Sequence, residues 1–269
     1  MTPLRAQMIK AMQMHGFSPR THESYLAAVK DLARYHQRAP DSLVVGDLNG
    51  YFEHLVTERQ LAPASIRLAL NAVRFLFVEV LKWPRFELGI AFPKLPARIP
   101  ELLTRAEVAR LLAACAHPRY RMMLTLCSGC WLRLSELLAV RVRDIDGERR
   151  LLRIEQGKGA KDRLVPISPT LLEQLRGYWR LYRPSHLLFP ARFSPNTPLS
   201  PTSVQKQYTR AKQAAGVNKR GGIHALRHAY ATHQLEAGLA VHRLQRFLGH
   251  SNLHSTLRYV HWVPSYREG

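Results

Sequence analysis

The chain has 269 residues and carries 40 Lys and Arg against 19 Asp and Glu, a formal net charge of +21. Because 46% of its residues are hydrophobic, the composition excludes a disordered polybasic tail, which lacks the apolar surface to offset its ordering entropy. No apolar run approaches the roughly 18 residues of a membrane span, so we expect no membrane partner and a cytoplasmic location. A pI of 10.7 on a folded protein indicates a polyanionic partner, most simply nucleic acid.

The cysteines and acids of the chain favour packing over metal binding. Cys127 and Cys130 have C-x-x-C spacing, but a zinc site needs a second pair of ligands and a redox pair needs a βαβ setting. We therefore expect packed thiols in an apolar helix. Asp144 and Asp146 are interpreted as a turn rather than a metal pair. The sequence predicts neither a metal nor a cofactor.

Charge and proline divide the chain into two parts. Residues 1–98 hold 13 basic and 8 acidic side chains, whereas residues 99–269 hold 27 and 11. Four prolines between positions 84 and 100 mark the break, because proline continues neither a helix nor a central strand. We predict a first domain over 1–90, a linker over 91–102 and a second domain over 103–269.

The first domain has a helical period throughout. A helix is expected near residues 4–14, and Ser18-Pro19 predicts the N-cap and first residue of a second helix. A third helix is expected after Asp47 and a fourth from about residue 63. With no strand pattern, this is a four-helix domain.

The second domain is predicted to be mainly helical with one small antiparallel sheet. Thr104-Arg105-Ala106-Glu107 fits a capping box at a helix start. Apolar runs at 151–154 and 163–167 flank the basic loop Gly157-Lys158-Gly159-Ala160-Lys161-Asp162 and predict a β-hairpin. Further helices are expected at 168–182, 200–215, 224–238 and 240–248.

The segment His224-Ala225-Leu226-Arg227-His228 indicates an anion site. On a helix, His224, Arg227 and His228 share one face. Two histidines at this spacing can bind zinc, but no Glu follows the first, and an arginine between them would repel a cation. The planar, bidentate guanidinium suits a phosphate better. His228 is interpreted as structural rather than catalytic.

A second motif lies closer to the end of the chain. In Leu248-Gly249-His250-Ser251, Gly249 is predicted to end a helix with positive φ. Tyr259 follows nine residues after His250.

Together these residues resemble the tyrosine recombinase (lambda integrase, or phage integrase) family. The resemblance rests on Arg133 within Leu132-Arg133-Leu134-Ser135-Glu136, then Lys158, His224-x-x-Arg227, Leu-Gly-His250 and Tyr259, in that order. Ser18-Pro19-Arg20-Thr21 and Tyr25 are similar to the opening of the family's core-binding domain, so essentially the whole chain is covered. Bacterial Xer-type, transposon and integron-associated integrases are the most similar members.

The resemblance implies a fold and an assembly. The fold is a four-helix, SAM-like core-binding domain followed by a helical catalytic domain with a small antiparallel sheet, the DNA breaking-rejoining fold. The two domains would clamp double-stranded DNA, and a homotetramer would act on paired DNA sites. Such a protein would be associated with the bacterial nucleoid.

The resemblance also implies a mechanism that needs neither ATP nor metal. Tyr259 would be the nucleophile that forms a 3′-phosphotyrosyl bond and displaces a 5′-hydroxyl. Arg133 and Arg227 would stabilise the transition state, and Lys158, with Lys161 as the alternative, would be the general acid. His224 and His250 would donate to the scissile phosphate, and His224 could also take the tyrosine proton. Apart from the resemblance, Glu136 is interpreted as a buried partner for a nearby basic group or for backbone.

Two departures from the family pattern leave an alternative open. The family usually has Gly two positions before the first arginine, where this chain has Trp131. If that position needs positive φ, Trp would cost stability or displace Arg133. The chain also ends ten residues after Tyr259. A catalytically impaired, recombinase-like DNA-binding protein is therefore the main alternative; a type IB topoisomerase and a generic RNA-binding protein are weaker ones.

Overall fold

The computed structural model describes residues 2–89, 100–155, 162–250 and 252–263. The chain divides into two compact units, Met1–Arg98 and Ile99–Gly269. Most of the predicted linker, 91–102, lies outside the described residues. None of the described helices combines the length and the apolar character that crossing a membrane requires.

The first unit is helical, and its helices begin close to the predicted capping residues. Ser18 Oγ accepts the Thr21 N–H at 3.3 Å, which satisfies one of the free donors at a helix start. Residues 2–89 contain no strand, so the prediction of a four-helix domain is confirmed. The helices are α1 (Pro3–Met14), α2 (Pro19–His36), α3 (Val45–Thr57) and α4 (Pro63–Arg74), which continues as a π-helical segment, Phe75–Val80.

The predicted start of α3, after Asp47, is wrong by three residues. The helix begins at Val45, and Asp47 lies inside its first turn. The Asp47 carboxylate accepts the Val44 N–H at 2.9 Å, so it caps the helix from within rather than preceding it. The core between the helices consists of fully buried side chains that include Met8, Leu32, Leu48, Phe52, Val73 and Phe77.

The second unit is built from short helices around a small sheet. Its first helix has the predicted capping box: the Thr104 hydroxyl accepts the Glu107 N–H at 3.1 Å, and the Glu107 carboxylate accepts the Thr104 N–H at 2.7 Å. The helices are α5 (Arg105–Ala114), α6 (Pro118–Gly129), α7 (Leu134–Ala139), α8 (Pro169–Tyr182), α9 (Pro201–Ala214), α10 (His224–Glu236), α11 (Val241–Leu248) and α12 (His254–Val260).

The predicted hairpin is present and belongs to a three-stranded antiparallel sheet. Strands β1 (Ile145–Asp146), β2 (Leu151–Ile154) and β3 (Arg163–Pro166) are adjacent in that order, and Leu152 pairs with Val165. Asp146 therefore lies in a strand rather than in a turn, because it pairs with Leu151. Lys158 and Lys161 lie outside the described residues.

A second hairpin was not predicted from the sequence. It joins β4 (Pro190–Ala191) to β5 (Ser194–Pro198). Both strands contain proline, and most of their side chains are polar or partly exposed. The alternation that identifies a strand from sequence is therefore missing.

The C-x-x-C segment is a packing feature, as predicted. Cys127 lies in α6 and Cys130 directly follows it, and both are buried and unpaired with each other. Burial raises the pKa of each thiol to about 12, so both stay protonated and unreactive at neutral pH. Across the part of the chain that the structure describes, no group of three or more His, Cys, Asp or Glu side chains could hold a metal ion.

Trp131 occupies a position that does require left-handed backbone. It lies in the turn between α6 and α7 with φ +53°, a region that favours glycine over other residues. Its side chain is buried, with ring centroids 4.8 Å from Phe247 and 5.1 Å from Tyr230. The backbone cost is therefore offset by burial of a large aromatic ring.

These opposing effects make a paired substitution informative. We expect Trp131→Ala to lower the free energy of unfolding by about 3–5 kcal/mol, as for other buried aromatic truncations. Trp131→Gly removes the same ring but also relieves the left-handed strain, so it should be more stable than Trp131→Ala by about 1 kcal/mol. Urea unfolding followed by circular dichroism measures both, and an alanine variant as stable as the glycine variant would contradict the assignment of strain.

Candidate active site

Four helices of the second unit meet around a cavity of about 270 Å³. The N-terminal half of α10, the residue after α11, the N-cap of α7 and the residues of α12 line it. This cavity brings together five of the six sequence-predicted site residues, the exception being Lys158, which lies outside the described residues. The lining residues are Arg133, His224, Arg227, His228, Gly249, His250, Ser255, Arg258, Tyr259 and Trp262.

A buried carboxylate, Glu136, lies beside this cavity and binds the arginines around it. Arg163 contacts both of its oxygens, with Nη1 2.9 Å from Oε1 and Nη2 2.7 Å from Oε2. Arg133 donates twice, from Nη1 to Oε1 at 2.7 Å and from its backbone N–H to Oε2 at 2.8 Å. Arg227 Nη1 is 3.8 Å from Oε2. The prediction that Glu136 is a buried partner of a basic group is confirmed.

The charge of Glu136 is maintained by these guanidinium groups. Burial by itself raises the pKa of the carboxyl group, but hydrogen bonds and charge from Arg163 and then Arg133 lower it to about 2. Three guanidinium groups therefore surround one carboxylate, which leaves a net positive charge beside the cavity. An anion is the ligand that this arrangement favours.

Arg227 connects three parts of the second unit. It is buried, and its guanidinium donates to the backbone oxygen of Trp131 and, at 2.6 Å, to that of Leu248. These contacts join the turn before α7 to the end of α11. Burial and then the charge of Arg133 lower the pKa of Arg227 to about 10, so it stays protonated at neutral pH. Arg133 and Arg227 both line the cavity, so of the two possible effects of Trp131, a cost in stability or displacement of Arg133, displacement does not occur.

The end of α11 has the geometry that its sequence predicts. Gly249 has φ +61°, and a Cβ at this position would lie 3.0 Å from the side chain of Arg163. His250 follows, with Nε2 3.3 Å from Arg227 Nη2 and Nδ1 2.9 Å from Thr256 Oγ1. Each ring nitrogen of His250 therefore lies beside a polar side chain.

Tyr259 is buried at one wall of the cavity, with 4% of its surface exposed. Its Oη is 2.9 Å from His228 Nδ1, and its ring is parallel to that of His250 with centroids 6.2 Å apart. Burial raises the pKa of the phenol, whereas the charge of Arg227 lowers it. The side chain is therefore a protonated phenol held close to cationic groups.

His224 lies one turn before His228 and faces the same cavity. Desolvation, followed by the charges of Arg227 and Arg133, lowers the pKa of its ring. The prediction that His224, Arg227 and His228 share one helix face is confirmed, since all three line the cavity.

Two residues of the site have roles that the sequence did not indicate. Arg163 carries the bidentate contact to Glu136 and also donates from Nε to the Phe247 oxygen at 2.9 Å. It lies in β3, where nothing in the local pattern distinguishes it from a solvated strand residue. His228 contacts Tyr259, although the two are 31 residues apart. In the sequence, only its i, i+4 spacing from His224 indicated that His228 belongs to the site.

The arrangement combines an oxygen nucleophile with fixed cationic groups. Attack by a phenol oxygen on a phosphate diester builds negative charge on the non-bridging oxygens. Guanidinium groups already held in place stabilise that charge without reorganising during the reaction. Covalent transfer of a phosphoryl group to Tyr259 is the chemistry that this geometry supports best.

Two protein-family models match this chain, one in each unit. Residues 101–265 match the model described as the phage integrase family, and residues 4–85 match the phage integrase N-terminal SAM-like domain. The integrase/recombinase y4qK of Sinorhizobium fredii is 40% identical over 97% of this chain and 84% of that protein. The tyrosine recombinase XerA of Thermococcus kodakarensis is 35% identical over 93% of this chain and 87% of that protein.

Solved structures show the same fold. A lambda integrase dimer bound to a COC′ core site is 19% identical, with a TM-score of 0.74 over 94% of this chain and 95% of that one. The Tn1549 transposon integrase in complex with transposon right end DNA is 16% identical, with a TM-score of 0.74 over 96% and 94% of the two chains.

The Glu136 network predicts a specific pH dependence of stability. Because the pKa of Glu136 is about 2 in the folded protein against an ordinary value of 4.5, its ionised form stabilises the fold above pH 4.5, and that stabilisation is lost as the pH falls from 4.5 towards 2. We expect Glu136→Gln to lower the free energy of unfolding by about 3 kcal/mol at pH 7. The difference from wild type should shrink steadily below pH 4.5.

Urea unfolding at pH 7, 4.5 and 3.5 measures this difference. Glu148→Gln is the matched control, because Glu148 is exposed and should change the unfolding free energy by no more than about 0.5 kcal/mol at any of these pH values. A Glu136→Gln effect that is the same at pH 7 and pH 3.5 would rule out a stabilising carboxylate.

Proposed function

Because the chain belongs to the phage integrase family of tyrosine recombinases, we propose that it cleaves and rejoins DNA strands at specific sites through a 3′-phosphotyrosyl intermediate. The observation that carries this proposal is the meeting of Tyr259, Arg133 and Arg227 in one cavity. A nucleophile and two guanidinium groups from distant parts of the chain are the parts that phosphoryl transfer requires.

The substrate of the reaction is double-stranded DNA. The net charge of +21 supports binding to the phosphate backbone, which dominates the affinity of most DNA-binding proteins. The lambda integrase and Tn1549 integrase structures were both solved with DNA, and this chain shares their fold. Most of its Lys and Arg side chains would be interchangeable phosphate contacts, whereas those of the cavity would act on the scissile phosphate.

The cleavage step is a transesterification. Tyr259 Oη forms a bond to phosphorus as the bond from phosphorus to the 5′-oxygen breaks, and Lys158 gives that oxygen a proton. Arg133 and Arg227 bind the non-bridging oxygens as their charge increases, and His224 and His250 donate to the same phosphate. Because donors that strengthen as charge develops bind the transition state more tightly than the ground state, they lower the barrier.

Rejoining reverses these events. The phosphotyrosyl bond conserves the energy of the broken phosphodiester, so the 5′-hydroxyl of another strand can displace Tyr259 without a nucleotide cofactor. Arg133 and Arg227 serve both directions, since each passes through the same kind of charged transition state. Lys158 holds its role by resemblance to the family, with Lys161 as the alternative.

The assembly follows the family pattern in this proposal. Residues 1–90 form a core-binding domain, 91–102 a linker and 103–269 the catalytic domain, and four copies act on two paired DNA sites. The protein is associated with the nucleoid of a bacterial cell.

A catalytically impaired DNA-binding protein is not favoured. That alternative depended on Trp131 at the usual glycine position and on the short C-terminal tail. In the structure Trp131 adopts the left-handed backbone, and Arg133 contacts Glu136 and lines the cavity. These contacts support an active site that tolerates the larger residue beside Arg133.

A nicked suicide substrate, which loses a short fragment after cleavage and so traps the intermediate, tests the reaction. We expect wild-type protein to form a covalent adduct with DNA that survives denaturing electrophoresis. Tyr259→Phe lacks the nucleophilic oxygen, so it should bind the same DNA with nearly unchanged Kd and form no adduct. An adduct formed by Tyr259→Phe would assign the nucleophile elsewhere, and tight binding by wild type without any adduct would support the impaired alternative.

Basic residues inside and outside the cavity should behave differently. Arg133→Lys keeps the charge but loses the planar fork that a phosphate binds with two hydrogen bonds. We expect it to slow cleavage of saturated DNA by roughly 10²-fold with little change in Kd. Arg149→Ala, at a side chain that is 80% exposed, should leave that saturated rate within about twofold. Equal losses of binding and cleavage in both variants would argue against a catalytic role that is specific to the basic residues of the cavity.

A further inference from the structure

We propose that His228 is a catalytic residue that accepts the phenol proton of Tyr259 as Oη attacks phosphorus, and that returns it when the strand is rejoined. The proposal rests on the function proposed above, since it assigns a partner to the nucleophile of that reaction. It replaces the interpretation of His228 as structural and the suggestion that His224 takes this proton.

The contact between the two side chains is direct. His228 Nδ1 lies 2.9 Å from Tyr259 Oη, within the distance that a general base needs from the proton that it removes. His228 follows Arg227 on α10. The same helical turn therefore places a guanidinium at the cavity and an imidazole on the nucleophilic oxygen.

The surroundings of this pair limit its access to water. Tyr259 is 4% exposed and His228 is half-buried. The Trp262 ring stands edge-on to both, with centroids 5.9 Å from His228 and 5.2 Å from Tyr259. A proton that leaves Oη therefore has a ring nitrogen as its immediate neighbour rather than bulk solvent.

The other two histidines of the cavity are placed differently. Both ring nitrogens of His250 are engaged, by Arg227 and by Thr256. His224 is exposed at the cavity, and among the described residues no hydrogen bond joins it to Tyr259. His228 is therefore the histidine that contacts the nucleophile directly, and the phosphate is assigned to His224 and His250.

The protonation state of His228 suits an acceptor. Burial, followed by the charges of His224 and Arg227 on α10 and of Arg258 on α12, lowers the pKa of its ring to about 4. The ring is therefore neutral at neutral pH, and the phenol can donate to Nδ1. A bound phosphodiester brings negative charge next to the same arginines, which raises the pKa of His228 and makes it a stronger base when substrate is present.

The proton balance of both steps is complete. In cleavage, the Tyr259 O–H bond breaks and an N–H bond forms at His228 Nδ1, while Oη bonds to phosphorus and the 5′-oxygen leaves with a proton from Lys158. In rejoining, the attacking 5′-hydroxyl returns its proton to Lys158, and His228 Nδ1–H protonates the departing phenolate. No further reactant is needed.

His228→Asn separates a proton acceptor from a structural hydrogen-bonding group. The amide occupies the place of Nδ1 and can keep a hydrogen bond to Oη, but it does not take up a proton. We expect His228→Asn to melt near the wild-type temperature and to bind DNA with nearly unchanged Kd. Single-turnover adduct formation on the suicide substrate should slow by about 10²-fold or more.

A substrate with sulfur in place of the bridging 5′-oxygen distinguishes a residue that protonates the leaving group from a residue that activates the nucleophile. Because a thiolate leaves without protonation, this substrate should restore adduct formation to Lys158→Ala, which lacks the general acid. It should not restore the rate of His228→Asn, which is impaired at the nucleophile. Rescue of His228→Asn by sulfur would overturn the proposal, as would a wild-type cleavage rate in that variant with the normal substrate.

His228→Ala provides a second, independent test. It leaves space beside Tyr259, and added imidazole should accelerate adduct formation in this variant but not in wild type or Tyr259→Phe. A rate that does not change with imidazole would count against proton transfer through residue 228. If wild-type protein itself forms no adduct, the proposed recombinase reaction fails; if wild type reacts and the His228 variants match it, only the role of His228 fails.

Discussion

The buried carboxylate of Glu136 is the constraint around which the cavity is organised. Three guanidinium groups reach it from separate elements, Arg133 from the N-cap of α7, Arg163 from β3 and Arg227 from α10. Without that charge the arginines would repel one another in a region largely shielded from water, where such repulsion is strongest. With it, two of them remain oriented towards the cavity, and their positions are set before any substrate binds.

This network also explains why Arg163, which does not line the cavity, matters to it. Arg163 joins Glu136 to the backbone of Phe247, and its side chain packs against the bare Cα of Gly249. Gly249 therefore satisfies two conditions together, a left-handed backbone and space for the arginine. Its neighbour His250 is held between Arg227 and Thr256, so the helix end, the sheet and the α6–α7 turn position the site jointly.

Trp131 shows that a residue other than glycine can adopt left-handed backbone here while the arginines of the cavity keep their positions. The backbone at this position is left-handed, as the usual glycine implies, and a tryptophan there bears a conformational cost. The indole offsets that cost by packing between Tyr230 and Phe247. Sequence reasoning identified the cost correctly, but only the packing shows that Arg133 is not displaced.

Local features of the fold could be predicted from sequence because their causes are local. Ser18, Thr104 and Gly249 cap helices through atoms a few residues away, and apolar spacing marks the buried face of each helix. The spacing around Arg227 likewise places His224 and His228 on one face. The start of α3 was wrong because Asp47 caps the helix from inside its first turn. The β4–β5 hairpin is polar and contains proline, so it lacks the alternating pattern that identifies strands.

The sequence by itself therefore determined the two-part organisation, the helix starts, the positive charge and the ordered set of residues that resembles a recombinase. Only the tertiary structure decided which side chains meet. Arg163 and Glu136 are 27 residues apart, His228 and Tyr259 are 31 apart, and Arg227 and Trp131 are 96 apart. Contacts over such separations depend on how helices and strands pack against one another, and the periodicity of a single element carries no information about the neighbour that it will meet.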